Sequence, residues 1–515
     1  MRNGIWRKFE NSARRKRAWG YKYGKQIGYK GLSCFLVMNF ICLLLAGCGA
    51  ASGGNGQDSA VGGPEAGQDS TTGGSHSSGE GQDGAAGDPA SAPNGRRVLT
   101  AVVPSRGRGI LERISDWNKN NTQYFIEIKD YGEEGSILEA DEFATRLTLD
   151  ILSGKGPDMV IWDTGYWSPA LASEKLMANL YDFMDADPDF HREDYYENIL
   201  QAFEMNGGLY TMPVSFQVDT VCGKAEEIGT DRGVTESWEL GEMIEAFENS
   251  PHAEWLTSNH SKDLTFLFVC QGCIGNYVDW SSGECHFDTP EFAQLLEFSD
   301  TFPSQPMFGE DFSYYGILRS GKVFWEPVSL SSPWRVADLR ISFGDADMRW
   351  PGYPVADGEK DMGGGVASPT DRCFSICRNS GNQAGAWEFI KSYLTEDAQR
   401  AAGGIPLLRS VSEERIQEAL TIEYETVDGV QREKVRDKIM AEGEDPVELT
   451  CITEEDAAIY RGIIENTRRS YSNDAGMMEI IREEAGVYFE KDRDAAEVAD
   501  IIQNRVSIYV SERME

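Results

Sequence analysis

The sequence predicts an α/β protein of two lobes, each built on a mainly parallel sheet flanked by helices. Three observations carry that expectation. Short apolar strands alternate with helical apolar periodicity from residue 98 onward, turn-forming residues fall between these elements, and the 418 residues from Val98 to Glu515 can build more than one core.

The run Val98-Leu99-Thr100-Ala101-Val102-Val103 reads as a buried first strand. Pro104, Ser105, Arg106 and two glycines make a loop, and Ile110, Leu111, Ile114 and Trp117 then recur at helical spacing. Residues 124–131 alternate as a second strand. Phe143, Leu147, Leu149 and Leu152 mark a helix ended by Gly154 and Gly156, and residues 158–163 form the third strand. Repeated βαβ units imply parallel pairing. Ligands of such sheets sit beyond the carboxyl ends of the strands, which selects Ser105, Arg106, Asp163, Tyr166 and Trp167. Beyond Tyr210 the order is less regular, and a second lobe is expected, with helices at 238–249, 290–298 and 384–401 and a helix-rich end over 454–512. The charged stretch 410–449 reads as a solvated insertion at that lobe's edge.

The chain ahead of this domain has a different character. Residues 1–34 carry ten Lys or Arg against the single acid Glu10, and Phe35 to Leu45 form an eleven-residue apolar run broken only by Asn39. That is a signal-peptide layout, shorter than the roughly 20 apolar residues of a membrane span. Leu45-Ala46-Gly47-Cys48 resembles the bacterial lipoprotein signal, which implies that residues 1–47 are removed, that Cys48 is acylated, and that the protein sits on the extracytoplasmic face of the cell membrane. Residues 48–97 are rich in Gly, Ser, Ala, Asp and Gln, so they read as a flexible lipid-anchored linker, long enough to suit the thick wall of a Gram-positive-type bacterium. Without residues 1–47 the 48 basic and 85 acidic residues become 38 and 84, a formal charge of −46. Nucleic acid is therefore not an expected partner, because phosphate backbones are held by clustered Lys and Arg.

Seven cysteines follow the linker, at 222, 270, 273, 285, 373, 377 and 451. The odd count leaves at least one thiol unpaired, and pairs 270–273 and 373–377 stay open. Cys270-Gln271-Gly272-Cys273 has metal-like spacing, but only Cys285-His286 lies near it, so no metal is expected. Neither H-E-x-x-H nor G-x-S-x-G occurs, and Gly316 to Lys322 fails as a phosphate loop because Val323 stands where Ser or Thr would reach a metal ion.

Several blocks, in order, resemble family 1 extracellular solute-binding proteins, the sugar-type receptors of ABC importers. They are Gly154-Lys155-Gly156-Pro157-Asp158-Met159-Val160, Leu180-Tyr181-Asp182-Phe183-Met184, Gly208-Leu209-Tyr210-Thr211-Met212-Pro213-Val214, Thr235-Glu236-Ser237-Trp238, and residues 386–394 with Gln399 and Gly404-Ile405-Pro406. Residues 495–506 resemble the family's terminal helix. Gly207-Gly208 departs from the family's Gly-Lys, and 410–450 is longer than its usual connector. The resemblance implies a maltose-binding-protein-like, two-lobed periplasmic-binding fold of type II with a hinge and an interlobe cleft. The first lobe is then expected at about 98–214 plus about 350–376, and the second at about 215–349 plus about 377–515. It also implies a non-catalytic, cofactor-free monomer that passes a carbohydrate or similar polar solute to an ABC permease.

Sugar recognition needs flat aromatic faces for the ring and fixed donors and acceptors for its hydroxyls. With the cleft placed where the chain crosses between lobes, the expected contacts are Arg106, Asp163, Tyr166, Trp167, Phe216, Gln217, Asp219, Trp280, Trp325 and Trp350, with Gly363–Gly365 allowing close backbone approach. Two other chemistries are carried forward. Asp163 and Glu326 could serve as the carboxylate pair of an anchored glycan hydrolase, and Tyr314-Tyr315 resembles the twin tyrosines of ferric-ion receptors.

Overall fold

The computed structural model describes residues 95–514, apart from 105–107, 132–139, 164–165, 168, 174, 230–236, 260, 306–312, 357, 359–363, 440–445, 472–473 and 492. The signal segment, Cys48, linker residues 48–94, Ser105, Arg106 and Gly363 lie outside the described residues, and Arg97, expected at the end of the linker, instead opens the first strand.

In chain order the first strands are β1 (Arg97–Val102), β2 (Tyr124–Lys129), β3 (Met159–Trp162), β4 (Met212–Pro213) and β5 (Ser215–Lys224). A short hairpin, β6 (Val278–Asp279) and β7 (Glu284–Cys285), precedes β8 (Glu326–Leu330), β9 (Met348–Arg349), β10 (Val366–Pro369), β11 (Cys373–Ile376) and β12 (Ile405–Pro406). Two hairpins follow, the exposed β13 (Tyr424–Val427) with β14 (Val430–Glu433), and β15 (Asp437–Ile439) with β16 (Val447–Leu449), which buries Ile439 and Leu449, and β17 (Arg469–Ser470) comes last.

The first sheet has the order β2-β1-β3-β11-β4. β1 is parallel to β2 and β3, as the βαβ reading requires, whereas β11 runs antiparallel to β3 and β4. All four residues of β3 are buried because both faces of the sheet are covered: Met159 and Ile161 enter one core, Val160 and Trp162 the other. Gly154, at φ 73°, ends the helix Ala140–Leu152 in a left-handed conformation that suits glycine.

The second sheet corrects the expectation of mainly parallel pairing. Its central strand β5 is antiparallel to β8, β9, β10 and β12, and only β10 with β17 is parallel. The irregular order beyond Tyr210 is the visible cause: no strand–helix–strand repeat feeds this sheet, so its strands arrive by long returns from opposite directions. A core of aromatic and aliphatic residues lies between this sheet and the helices 240–249, 262–273, 290–299, 475–489 and 495–514.

Two further expectations shift. Thr395 accepts from Ala398 N–H and caps a new helix, so the single helix expected over 384–401 is two, Gln383–Lys391 and Glu396–Ala401. The first packs on the first sheet: Asn382 Nδ2 donates to Val98 O at 3.0 Å, and Phe389 meets Trp117 edge to face. Residues 377–394 therefore belong with the first sheet, and the crossing placed at 377 falls later. In the charged stretch, 409–420 is a helix that buries Val411, Ile416 and Ala419, and the solvated part begins only with β13 and β14. All seven cysteines are free thiols, six of them buried.

Candidate functional site

Among the described residues three segments run between the sheets, and they touch one another. The first is 212–219, which leaves β4 and becomes β5. The second is 366–374, which returns from β10 to β11 and pairs with the first at both ends: Pro369 opposite Phe216, and Phe374 opposite Met212. Between these pairs the Ser215 and Thr370 hydroxyls lie 2.9 Å apart. The third is 399–408, where Ile405 pairs with Phe216 and Pro406 with Ser215. Gly404 has φ 70°, and a Cβ there would stand 2.4 Å from Thr370 Oγ1, so the third segment can lie this close only as glycine. Gln399 joins all of this. Its buried amide donates to Val214 O and Tyr393 O, each at 2.8 Å, and accepts from Leu408 N–H at 3.0 Å.

On the first sheet, Asp163 follows the last residue of β3, and there the chain turns: the Asp163 carbonyl accepts from Tyr166 N–H at 3.0 Å and Trp167 N–H at 3.2 Å. Asp163 faces Arg372, Nη1 to Oδ2 at 3.1 Å, because β11 begins beside the last residue of β3. This Nη1 is buried, and among the described residues no acceptor is aligned to take its hydrogen. Tyr166 and Trp167 are half-buried. The Tyr166 ring is held edge-on by Phe143 at 5.4 Å, and Trp167 Nε1 donates to Thr211 Oγ1 at 3.4 Å.

On the second sheet, Gln217 and Asp219 share one face of β5, as residues two apart must. Gln217 is half-buried and opposite Ser368, while Asp219 is buried and opposite Ser329. Asp219 accepts from Gln217 Nε2 at 3.1 Å, from Ser368 Oγ at 2.7 Å and from the Ser329 hydroxyl. Burial raises the Asp219 pKa above the usual carboxylate value, and the three hydrogen bonds hold it back only in part.

Four expected contacts lie elsewhere. Phe216 points to the opposite face of β5 from Gln217, is fully buried, and meets Tyr196 edge to face. Trp325 is fully buried against Trp238 and Tyr353, Trp350 lies in the core at 3 % exposure, and Trp280 lies in the second-lobe core at 7 %. The position along the strand explains this: Trp325 precedes β8, at its amino end, and Trp350 follows β9, which pairs with the end of β5 away from the crossing. Trp280 belongs to the separate β6–β7 hairpin. Sequence reasoning passed over Arg372, Thr211, Ser329, Ser368 and Trp334. The last could have been found by the rule that selected Asp163, because Ser331-Ser332-Pro333-Trp334 follows the carboxyl end of β8, and Trp334 is half-buried where it opens the helix 334–342.

The carried-forward chemistries meet specific obstacles. Glu326 is buried and accepts from Ser258 N–H at 3.0 Å, Ser258 Oγ at 2.7 Å and Tyr314 Oη at 3.0 Å, so neither oxygen is open to a substrate. Tyr314 is the donor in that bond, and burial together with the Glu326 charge raises its pKa, which works against the phenolate a ferric ion would need. Among the described residues no group of three His, Cys, Asp or Glu is placed to hold a metal ion, and no helix is long and apolar enough to cross a membrane. A separate depression of about 670 Å³ between Phe190, Tyr195, Leu394 and Leu408 contains none of the expected contacts; of its cations, Lys391 is bound to Asp187 and Arg409 stacks on Tyr196.

Two α/β lobes joined by three adjacent crossing segments, with polar and half-exposed aromatic groups beside the crossing, define a bilobal binding protein. The chain belongs to the bacterial extracellular solute-binding protein family, whose sequence model matches residues 134–418. The fold is similar to an ABC-transporter solute-binding protein of Thermotoga lettingae bound with α-D-tagatose (13% identity, 80% of this chain and 99% of that one, TM-score 0.42). It is also similar to a family 1 extracellular solute-binding protein of Alicyclobacillus acidocaldarius (14%, 81% and 98%, 0.47) and to the sugar-binding protein MalE of Xanthomonas citri (11%, 81% and 98%, 0.46). Family membership rests on the sequence match. No curated protein matches the sequence.

Proposed function

We propose that this protein captures a carbohydrate or similar polar solute between its lobes, without chemical change, and delivers it to an ABC importer while held to the membrane by a lipid on Cys48. The observation that carries the reading is the Arg372 guanidinium, ion-paired with Asp163 at 3.1 Å just beyond β3, where the half-buried Tyr166 and Trp167 follow in the same turn. A guanidinium carries five N–H donors, more than the pairing with Asp163 uses, and a solute oxygen is a natural further partner. The rings would cover the apolar face of a sugar, and Gln217 would approach from the second sheet. Closure would come from bending at the three crossing segments. The hydrolase reading loses ground because Glu326 is enclosed, and the ferric reading because Tyr314 is committed to Glu326.

The test is titration of the full chain with mono- and oligosaccharides, read by tryptophan fluorescence and melting temperature. Saturable shifts with at least one sugar support the proposal, and a flat response across the panel removes the carbohydrate reading. Replacing Cys48 by Ala should release an intact protein from the membrane once it is secreted. A membrane-bound C48A protein would refute the anchor.

A further inference from the structure

Asp219 is a buried carboxylate whose hydrogen-bond partners among the described residues are all neutral, with no Lys, Arg or His: Gln217 Nε2 at 3.1 Å, Ser368 Oγ at 2.7 Å and the Ser329 hydroxyl. Such a group is costly to bury and adds little to folding unless its bonds serve another residue. The residue it can serve is Gln217, which is partly exposed.

An ionised carboxylate only accepts hydrogen bonds, and an amide has a donating end and an accepting end. The Ser329 and Ser368 hydroxyls both donate to Asp219, and Gln217 turns its Nε2 to the same carboxylate at 3.1 Å, which leaves Oε1 directed away from it. Across the crossing, Arg372 can only donate. Arg372 thus asks the solute for an acceptor, and Gln217 asks it for a donor.

We infer that Asp219 is a positioning residue that fixes the amide of Gln217 with its oxygen toward the cleft, so that the protein selects solutes presenting a hydroxyl or amine hydrogen at that point. The inference rests on the proposed cleft and adds a specificity rule to it. Asp219→Asn nearly preserves shape but adds a donor. The NH2 introduced by that substitution can then meet Gln217 Oε1, the glutamine amide can turn over, and the cleft would offer a donor instead.

Two arms test this on the full chain. The first needs no solute. With ¹⁵N-glutamine labelling, and Gln217→Met to assign the signal, the Gln217 NH2 should exchange its hydrogens more slowly than exposed glutamine side chains. Exchange at the free rate would overturn the inference. The second uses glucose, galactose, maltose and xylobiose, each with its monodeoxy and monodeoxyfluoro analogues, since fluorine accepts weakly and cannot donate. At one position the wild-type protein should lose about tenfold in affinity for both analogues, the effect of one lost hydrogen bond. In D219N the fluoro analogue should recover to within about threefold of the parent sugar while the deoxy analogue stays weak. An equal fluoro penalty in both proteins would overturn the inference. If no sugar binds the wild type, the carbohydrate reading fails while the first arm still decides how Asp219 holds Gln217.

Discussion

Replacing Gln399 by Leu removes the amide at the point where the three crossing segments meet. Gln399 is fully buried, and its loss leaves three backbone groups without a partner: the Val214 and Tyr393 carbonyls and the Leu408 N–H. Each orphaned buried group costs about 1–3 kcal/mol, so the three together cost about 6 kcal/mol before relaxation. Burying the leucine side chain returns about 2 kcal/mol. The expected net loss is therefore about 3–4 kcal/mol, read as a drop in the urea midpoint followed by tryptophan fluorescence. Glu396→Gln is the control, because its pairing with Arg400 is exposed and exposed pairs contribute about 0–1 kcal/mol. If Q399L unfolds within about 1 kcal/mol of that control, the three segments are not held together at Gln399 and the hinge argument fails.

Gly404→Ala should destabilise by about 2 kcal/mol or more, because φ 70° strains alanine and its Cβ would meet Thr370 Oγ1 at 2.4 Å and Phe216 O at 2.8 Å; an unchanged melting temperature would contradict that packing. Trp325→Ala should cost about 3–5 kcal/mol while leaving sugar affinity at temperatures below its melting point unchanged, since Trp325 is core; a selective loss of affinity would return it to the cleft. Asp456 is pulled up by burial but more strongly down by the Arg340 guanidinium, at 3.0 and 3.1 Å, and by Thr453, for a net pKa below the usual value. Its stabilisation is thus present above the unfolded carboxylate value and lost as pH falls through the lower folded one, so the decline in stability below about pH 4 should be shallower in Asp456→Asn; equal slopes would refute the pair. Of the seven cysteines beyond residue 97, only half-exposed Cys451 should react quickly with a thiol reagent, because burial encloses the other six and, for example, raises Cys273 and Cys377 to about 12.

Within the first sheet β1, β2 and β3 were legible because their apolar runs alternate with amphipathic helices, so that period and punctuation agree; the expected strands at 98–103, 124–131 and 158–163 lie within two residues of them. The second sheet was not, because the direction in which β8, β10 and β12 meet β5 depends on returns of tens of residues that leave no local mark. The same gap governs the site. Asp163, Tyr166 and Trp167 follow a strand whose direction could be read, whereas Trp325 and Trp350 looked equivalent by sequence and fell at strand ends remote from the crossing. Phe216 and Gln217 are neighbours with opposite fates, decided by strand alternation once the buried face is known. Arg372 gave no sequence signal, since its meeting with Asp163 requires β11 to insert beside β3 across some 210 residues.

The central claim is that a polar solute is held between the two lobes by groups that include Arg372. Calorimetric titration of the wild-type chain and of Arg372→Leu with the strongest-binding sugar of the panel tests it most directly. The account predicts saturable binding to the wild type and a loss of at least about tenfold in R372L, with the melting temperature of the free protein little changed. Equal affinity in a folded R372L protein, or no binding to the wild type by any sugar, would contradict it.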